Sequence, residues 1–329
     1  MPTTSPRVVV VGGAVLDQKL RTRRAPVLGT SNPGVAVDGV GGVGRNIAEN
    51  LARLGAATVL VAPVGDDLPG ESVVGRTAAA GVDCRHVVVT SLPTGTYTAV
   101  LGDDGDLVIA VSDMRATDRL TVADLGAVPG LLAGADLLVV DANPPPDVVH
   151  WLLREAAAAG VVVVVEPVSV AKAGSLAPVL DGGAPVHTVT PNADELGALV
   201  GGPSPRSTAE VLEAAAALHD RGVRHVWVRR GAAGSLLSSH WSDGAGSRSV
   251  LAVGAPATEV VDVTGAGDSM TAGFVHALLA GRTAVEAARF GQVCAALTCA
   301  SPETVRPDLD VDLVATHLTP TDPPVEELR

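Results

Sequence analysis

The stretch Leu137-Leu138-Val139-Val140-Asp141-Ala142-Asn143 leads into Pro146–Ala159 and then Val161-Val162-Val163-Val164-Val165. The outer runs are short, apolar throughout and rich in β-branched residues, as strands covered on both faces are. The middle segment is an amphipathic helix pattern. Strand, helix and strand in this order join parallel strands of one sheet.

The same alternation continues outward. Val8–Val11, Thr58–Val64, Val186–Thr190 and His225–Val228 read as strands. Val43–Leu54 carries Ile47, Leu51 and Leu54 on one face and stops at Gly55. Asp194–Val200 and Thr208–Arg221 complete the helices that the pattern marks clearly. The prediction is an α/β fold with a doubly wound, mostly parallel sheet flanked by helices. Two segments break the alternation. Gln18–Val40 has clustered arginines and a Ser31-Asn32-Pro33-Gly34 turn. Thr94–Val111 reads as a hairpin around Asp103-Asp104-Gly105-Asp106. The expected division is a core over residues 7–17, 41–93 and 115–304, with a small β lid over 18–40 and 94–114. The tail, 305–329, is rich in Pro and Asp and is expected to be only partly ordered.

Composition narrows the function. The chain has 329 residues, 47% of them hydrophobic, and a net charge of −13. At about 150 residues per domain this length suits two domains or one large α/β fold. No apolar run reaches transmembrane length and Met1–Arg7 has no signal-peptide pattern. Strong acidity argues against nucleic-acid and anionic-membrane partners. Aromatic content of 2% argues against stacking platforms for single strands. The chain has only two lysines, Lys19 and Lys172, and neither can belong to a Walker-A loop. Cys84, Cys294 and Cys299 are an odd count without zinc spacing, and the eight histidines form no metal motif, so no structural transition metal is expected. A reducing cytoplasm is the simplest setting.

The strongest local signal is Glu259-Val260-Val261-Asp262-Val263-Thr264-Gly265-Ala266-Gly267-Asp268-Ser269-Met270. A strand end is expected to meet a Gly-x-Gly turn and then a helix with Met270, Phe274, Val275 and Leu278 inward. Free amides and the positive end of the helix dipole make that turn an anion site without lysine. Asp268 in the first helical turn is either a cap or a base that takes a hydroxyl proton during phosphoryl transfer. A dinucleotide fingerprint does not fit, because its last glycine position holds Met270.

With Asp262–Asp268 in hand, the chain resembles the ribokinase-like, PfkB-type carbohydrate kinases. A second signature, Gly41-Gly42-Val43-Gly44-Arg45-Asn46-Ile47-Ala48, lies about 220 residues upstream. Asp17 and Asn192-Ala193-Asp194-Glu195 match two further family positions. The resemblance spans about Arg7 to Thr304. It implies that Gly265, Ala266 and Gly267 form the anion hole and that Asp268 is the base. It implies sugar contacts from Asp17, Gly41, Gly42 and Asn46, with Asp17 accepting from a cis-diol. Asn192, Glu195, Arg230, Gly231, Gly234 and Gln292 fall on the nucleotide side. Glu195 acts on Mg-ATP through water, and Asp262 with Thr264 resembles a monovalent-cation loop, which leaves K⁺ an open alternative. Lid strands pair into homodimers in this family.

Within the family the chain is similar to the pseudouridine kinase branch. Ser31-Asn32-Pro33-Gly34, Thr96-Tyr97-Thr98-Ala99 and Ser112-Asp113-Met114 carry that similarity. So does Asp141-Ala142-Asn143 with Glu166-Pro167-Val168-Ser169 and Lys172, though Glu166 stands where Asp is expected. The expected reaction is ATP-dependent phosphorylation of a nucleoside ribose 5′-hydroxyl. Ser31, Asn32, Thr98, Ser112 and Asp113 are candidates for reading the base, and Lys172 for lining its pocket. Tyr97 either stacks on the base or packs within the lid. Another sugar or nucleoside kinase and a ligand-sensing pseudokinase are the rivals.

Overall fold

The computed structural model describes residues 7–240, 248–319 and 322–328. From the N-terminus come β1 (Arg7–Val11), β2 (Val15–Thr22), β3 (Gly34–Gly41), α1 (Val43–Arg53), β4 (Ala57–Val61) and β5 (Pro63–Gly65). Next are α2 (Leu68–Ala79), β6 (Val88–Thr90), β7 (Gly95–Leu101), β8 (Leu107–Asp113), α3 (Arg115–Asp118) and α4 (Val128–Leu132). The central alternation is β9 (Leu137–Asp141), α5 (Pro146–Ala159), β10 (Val162–Glu166), α6 (Val170–Leu180), β11 (Val186–Val189), α7 (Ala193–Val200), α8 (Thr208–Asp220) and β12 (Val223–Arg229). The chain continues with β13 (Ser235–His240), β14 (Arg248–Val253), α9 (Ala266–Leu279), α10 (Ala284–Cys299), α11 (Val311–His317) and β15 (Val325–Glu327).

Among the described residues the main sheet has nine strands, in the order β15-β14-β13-β12-β11-β10-β9-β1-β4. From β4 to β12 the neighbours are parallel, and β13 to β15 continue antiparallel. Alternate residues of the valine-rich strands point to opposite faces, and both faces are covered. Val9, Val11, Leu138, Val140, Val163 and Val165 pack towards Leu152 of α5 and Leu176 of α6. Val8, Val10, Leu137, Val139 and Val164 pack towards Ile47 and Leu51 of α1 and Val275 of α9. Each fully buried Leu or Ile contributes about 1.5–3 kcal/mol over exposure. This double burial is why the strands carry apolar runs in place of alternation.

A second, four-stranded sheet has the order β3-β2-β7-β8. β7 and β8 form the hairpin expected around Asp103–Asp106. β2 begins at Val15, so Asp17 belongs to this sheet and not to the end of β1. The expected strand Thr58–Val64 is two strands, with β5 pairing β6 in a separate two-stranded sheet.

Two expectations are corrected. Glu259–Thr264 is irregular, not a strand end, because the amides of Val261 and Asp262 donate to Cys299 O at the end of α10. The C-terminal tail is more ordered than its composition implies: α11 buries Val314, and β15 pairs with β14 at the sheet edge. All three cysteines are free thiols. Among the described residues no helix is long and apolar enough to cross a membrane.

Candidate active site

The C-terminal ends of the parallel strands form one row, the edge at which open α/β sheets bind ligands. β1 ends before Gly12-Gly13, β9 ends at Asp141, β10 at Glu166 and β12 at Arg229. Asp141 and Glu166 are register partners, and Asn192 bridges to Arg229.

Asp141 organises the sugar-side corner. It is fully buried and accepts from Gly13 N at 2.8 Å, Gly44 N at 2.7 Å, and the backbone and side chain of Asn143. These bonds tie the turn after β1 to the start of α1. Gly42 has φ 96°, and a Cβ there would lie 2.5 Å from Gly13 O, so only glycine fits. A Cβ on Gly41 would lie 2.1 Å from the Asp17 carboxylate, which therefore rests against the Gly41 backbone. Burial pushes Asp17 up to about 6, opposed by Arg45 and Lys19.

The expected catalytic residues gather at the start of α9. Gly265 has φ 77° and caps the helix. The amides of Gly265, Gly267 and Asp268 have no acceptor among the described residues, which leaves a ready anion hole. Asp268 is buried, and Asn46 Nδ2 donates to its Oδ2 at 2.8 Å. Arg45 Nε donates to Asn46 Oδ1 at 3.1 Å, and Glu49 holds Arg45 at 2.8 Å, so the amide orientation is fixed. Burial raises Asp268 to about 7, with Glu166 and Asp141 adding to the rise and Asn46 and Arg229 opposing it. A carboxylate poised there is matched to general-base work near neutral pH.

The residues expected on the nucleotide side, Gly231, Gly234 and Gln292, line a cavity of about 570 Å³ together with Val260 and Gly267, among others. Gln292 is buried and donates to Gly254 O at 3.2 Å, fastening the segment after β14. Arg230 is exposed just past the end of β12. Asn192 and Glu195 form a capping box at the start of α7: Asn192 Oδ1 accepts from Glu195 N, and Glu195 Oε2 accepts from Asn192 N, both at 2.9 Å. Burial raises the Glu195 carboxyl, with Arg229 opposing. Its Oε1 has no protein donor among the described residues and is open to a hydrated cation. Among the described residues no three His, Cys, Asp or Glu side chains cluster as a metal site, and both Glu166 oxygens accept from protein donors, so Glu195 Oε1 would meet a hydrated Mg²⁺ through water.

Other expected residues are placed differently. Thr98 bonds Gln18, and strand alternation puts both on the opposite face of the small sheet from Asp17 and Tyr97. Asp113 is on the Thr98 side and is held by Arg115. Asn32 spends its amide on Val27 and Thr30 in its own turn, beside exposed Ser31. Lys172 donates to Asp118 and to Asn143 O, both at 3.0 Å. Asp262 accepts from Thr264 N and Oγ1, and from Lys19 Nζ at 3.1 Å. The small sheet is thus ion-paired to the loop before α9.

Arg229 opens the run Arg229–Gly234 that resembles a nucleotide-side loop, but the sequence assigned it no role of its own. Its Nη2 donates to Glu166 Oε1 at 2.7 Å and to Glu195 Oε2 at 3.1 Å. Strand alternation held the signal: Trp227 stacks on Phe274 of α9 at 4.8 Å, so Arg229, two residues on, faces the start of the same helix.

The pfkB family carbohydrate kinase model matches residues 5–310. The chain is 31% identical to the pseudouridine kinase of Escherichia coli K12, over 92% of this chain and 94% of that one. It is 33% identical to an uncharacterised sugar kinase, YeiI, of the same organism, over 92% of this chain and 81% of that one. The structure of Arabidopsis thaliana ribokinase complexed with ribose and ATP superposes with a TM-score of 0.80 at 26% identity, covering 95% of this chain and 98% of that one. The chain belongs to the pfkB family of carbohydrate kinases. It is a sugar or nucleoside kinase with an alcohol group as phosphoryl acceptor.

Proposed function

We propose that the chain transfers the γ-phosphoryl group of ATP to the ribose 5′-hydroxyl of pseudouridine, giving pseudouridine 5′-phosphate. The observation that carries the nucleoside reading is Tyr97. It is the chain's single tyrosine, it is 41% exposed, and it is the register partner of Asp17. An aromatic face beside the acceptor of a cis-diol suits a base attached to ribose better than free ribose. Similarity to a pseudouridine kinase over nearly the whole chain supports that base.

In this reading Asp17 and the Gly41-Gly42 backbone hold the ribose. Asp268 takes the 5′-hydroxyl proton as its oxygen attacks the γ-phosphorus. The amides of Gly265, Gly267 and Asp268 receive the charge on the phosphoryl group, whereas the expected Ala266 amide is committed to Val263 O. Glu195 Oε1 would hold the hydrated Mg²⁺ of Mg-ATP through water, and that ion would shield phosphate charge. The small sheet acts as a lid, and Lys19 on Asp262 fastens it to the loop before α9, where closure excludes water. The same reading has the enzyme as a cytoplasmic homodimer.

The test is coupled ADP release with pseudouridine, uridine, adenosine and ribose. The expected outcome is the highest kcat/KM for pseudouridine. A pocket that hydrogen-bonds the extra N–H discriminates by up to about 10⁴. Equal or better use of ribose or uridine overturns the substrate assignment.

A further inference from the structure

Phosphoryl transfer in an acidic chain with two lysines poses a charge problem. Three carboxylates, Asp268, Glu166 and Glu195, surround the site, and the incoming triphosphate is itself an anion. Lys19 and Lys172 are both committed elsewhere, to Asp262 and Asp118. Arg45 is buried behind Asn46 and held by Glu49, whereas Arg229, whose side chain is 15% exposed, reaches the start of α9.

Its geometry is asymmetric. Both glutamates take the same nitrogen, Nη2. Nε and Nη1 have no hydrogen-bond partner among the described residues. Nη1 is turned towards the anion hole: a Cβ built on Gly267 would lie 2.4 Å from it. Gly267 has ordinary helical backbone, so its glycine is needed for this guanidinium and not for a turn. A buried counter-charge for two glutamates would be expected to spread its donors over both. Here one edge is clamped and the other is left open beside the free amides.

We propose that Arg229 is a catalytic residue: its Nη1 donates to an oxygen of the phosphoryl group in transfer, while Glu166 and Glu195 hold Nη2. The role rests on the kinase reading above. The acceptor oxygen forms a bond to the γ-phosphorus as the bond from phosphorus to the β–γ bridging oxygen breaks. The hydroxyl proton goes to Asp268, ADP leaves, and Arg229 keeps its protons throughout. Glu166, in place of a shorter carboxylate, then matters for reach. It sets the guanidinium against Gly267 while also accepting from Thr190 Oγ1 at 2.5 Å and Thr271 Oγ1 at 3.1 Å.

The experiment compares wild type with Arg229→Met and Arg229→Lys. Melting reports folding, ADP release reports turnover, and calorimetry reports affinity for ADP with and without fluoroaluminate, a mimic of the phosphoryl group in transfer. Arg229→Met is expected to lose about 10³-fold in kcat, the lower range for an arginine that meets a transferring phosphoryl group. It is expected to keep the acceptor KM within about threefold and to lose the preference for fluoroaluminate. Arg229→Lys is expected to recover part of both. A folded Arg229→Met within about tenfold of wild-type kcat, or with its fluoroaluminate preference intact, overturns the proposal. If Arg229→Met does not fold, Gly267→Ala carries the test, since its Cβ would displace Nη1, and the planar guanidinium with it, from the anion hole. Wild-type fluoroaluminate preference in that variant also overturns the proposal. A wild type that transfers to no sugar or nucleoside overturns the kinase reading instead, and loss of the fluoroaluminate preference in Arg229→Met still supports the guanidinium's role.

Discussion

As the proposed base, Asp268 is under two opposed demands. A base must ionise, yet burial holds this carboxyl up at about 7. The expected kcat/KM profile therefore rises with pH through a midpoint near 7 and levels off above it, as a steady-state pH series would record. Asp268→Asn keeps the acceptor for Asn46 Nδ2 but cannot take a proton, so turnover should fall at least about 10²-fold. Stability should move the other way. The folded pKa lies above the unfolded value of 3.8, so the native state holds the proton more tightly between these values. The stability from that proton is complete below about 3.8 and is lost as pH rises to about 7. Asp268→Asn, free of that loss, should melt higher than wild type at pH 8 and close to it at pH 4. A lower melting point at pH 8 would mean that the buried charge is not a burden. Asp268 and Asn46 were legible in sequence because motif and chemistry coincided. Arg229 was not, because next to Arg230 it reads as one of a pair, and only the face shared with Trp227 separates them.

At the level of elements, the start of α9 shows why two glycines of one motif differ. Gly265 needs φ 77°, and a Cβ there would meet Thr304 O at 2.0 Å. Gly265→Ala should therefore cost more than about 1 kcal/mol of stability. Gly267 lies within the helix, where alanine is intrinsically favoured over glycine by about 1 kcal/mol. Gly267→Ala should melt near wild type while losing most of its turnover. Melting and ADP release on the two variants separate the cases, and equal melting losses would sink the distinction. The pattern Gly-Ala-Gly was plain in sequence, but which glycine serves backbone and which serves a neighbour depends on Thr304 and Arg229, far away in the chain. The preceding run misled for a related reason. Val260, Val261 and Val263 have strand propensity, but their segment bonds Cys299 O and lines the nucleotide cavity. Asn192 and Glu195 are a capping box by spacing alone, and it is the ion pair to Arg229 that draws this helix start into the site.

At the scale of the whole molecule, the parallel sheet was legible because two-sided burial demands apolar runs, and β1, β9 and β10 are little else. β15 was not, since three residues after a Pro-rich tail carry no period. The small sheet is the least self-sufficient part. Ile109 and Val111 on β8 are 56% and 61% exposed, on the face opposite Asp17 and Tyr97. β8 is also an edge strand, with Leu107 exposed at its start. A long apolar edge invites pairing with another chain, and a stable interface needs about 1,000 Å² or more. Leu28, exposed in the loop before β3, lines one hollow with Val100 and Ile109 and extends this apolar surface. The homodimer proposed above, if built through these sheets, would cover apolar residues that a single chain leaves in water. Wild type should sediment as a dimer, and Ile109→Asp with Val111→Asp should sediment as a monomer with unchanged melting of the core. Because both substitutions face away from Asp17, a folded monomer that still binds nucleoside would assign the sheet's two faces separate tasks. A wild type that sediments as a monomer at every concentration tested would refute the dimer.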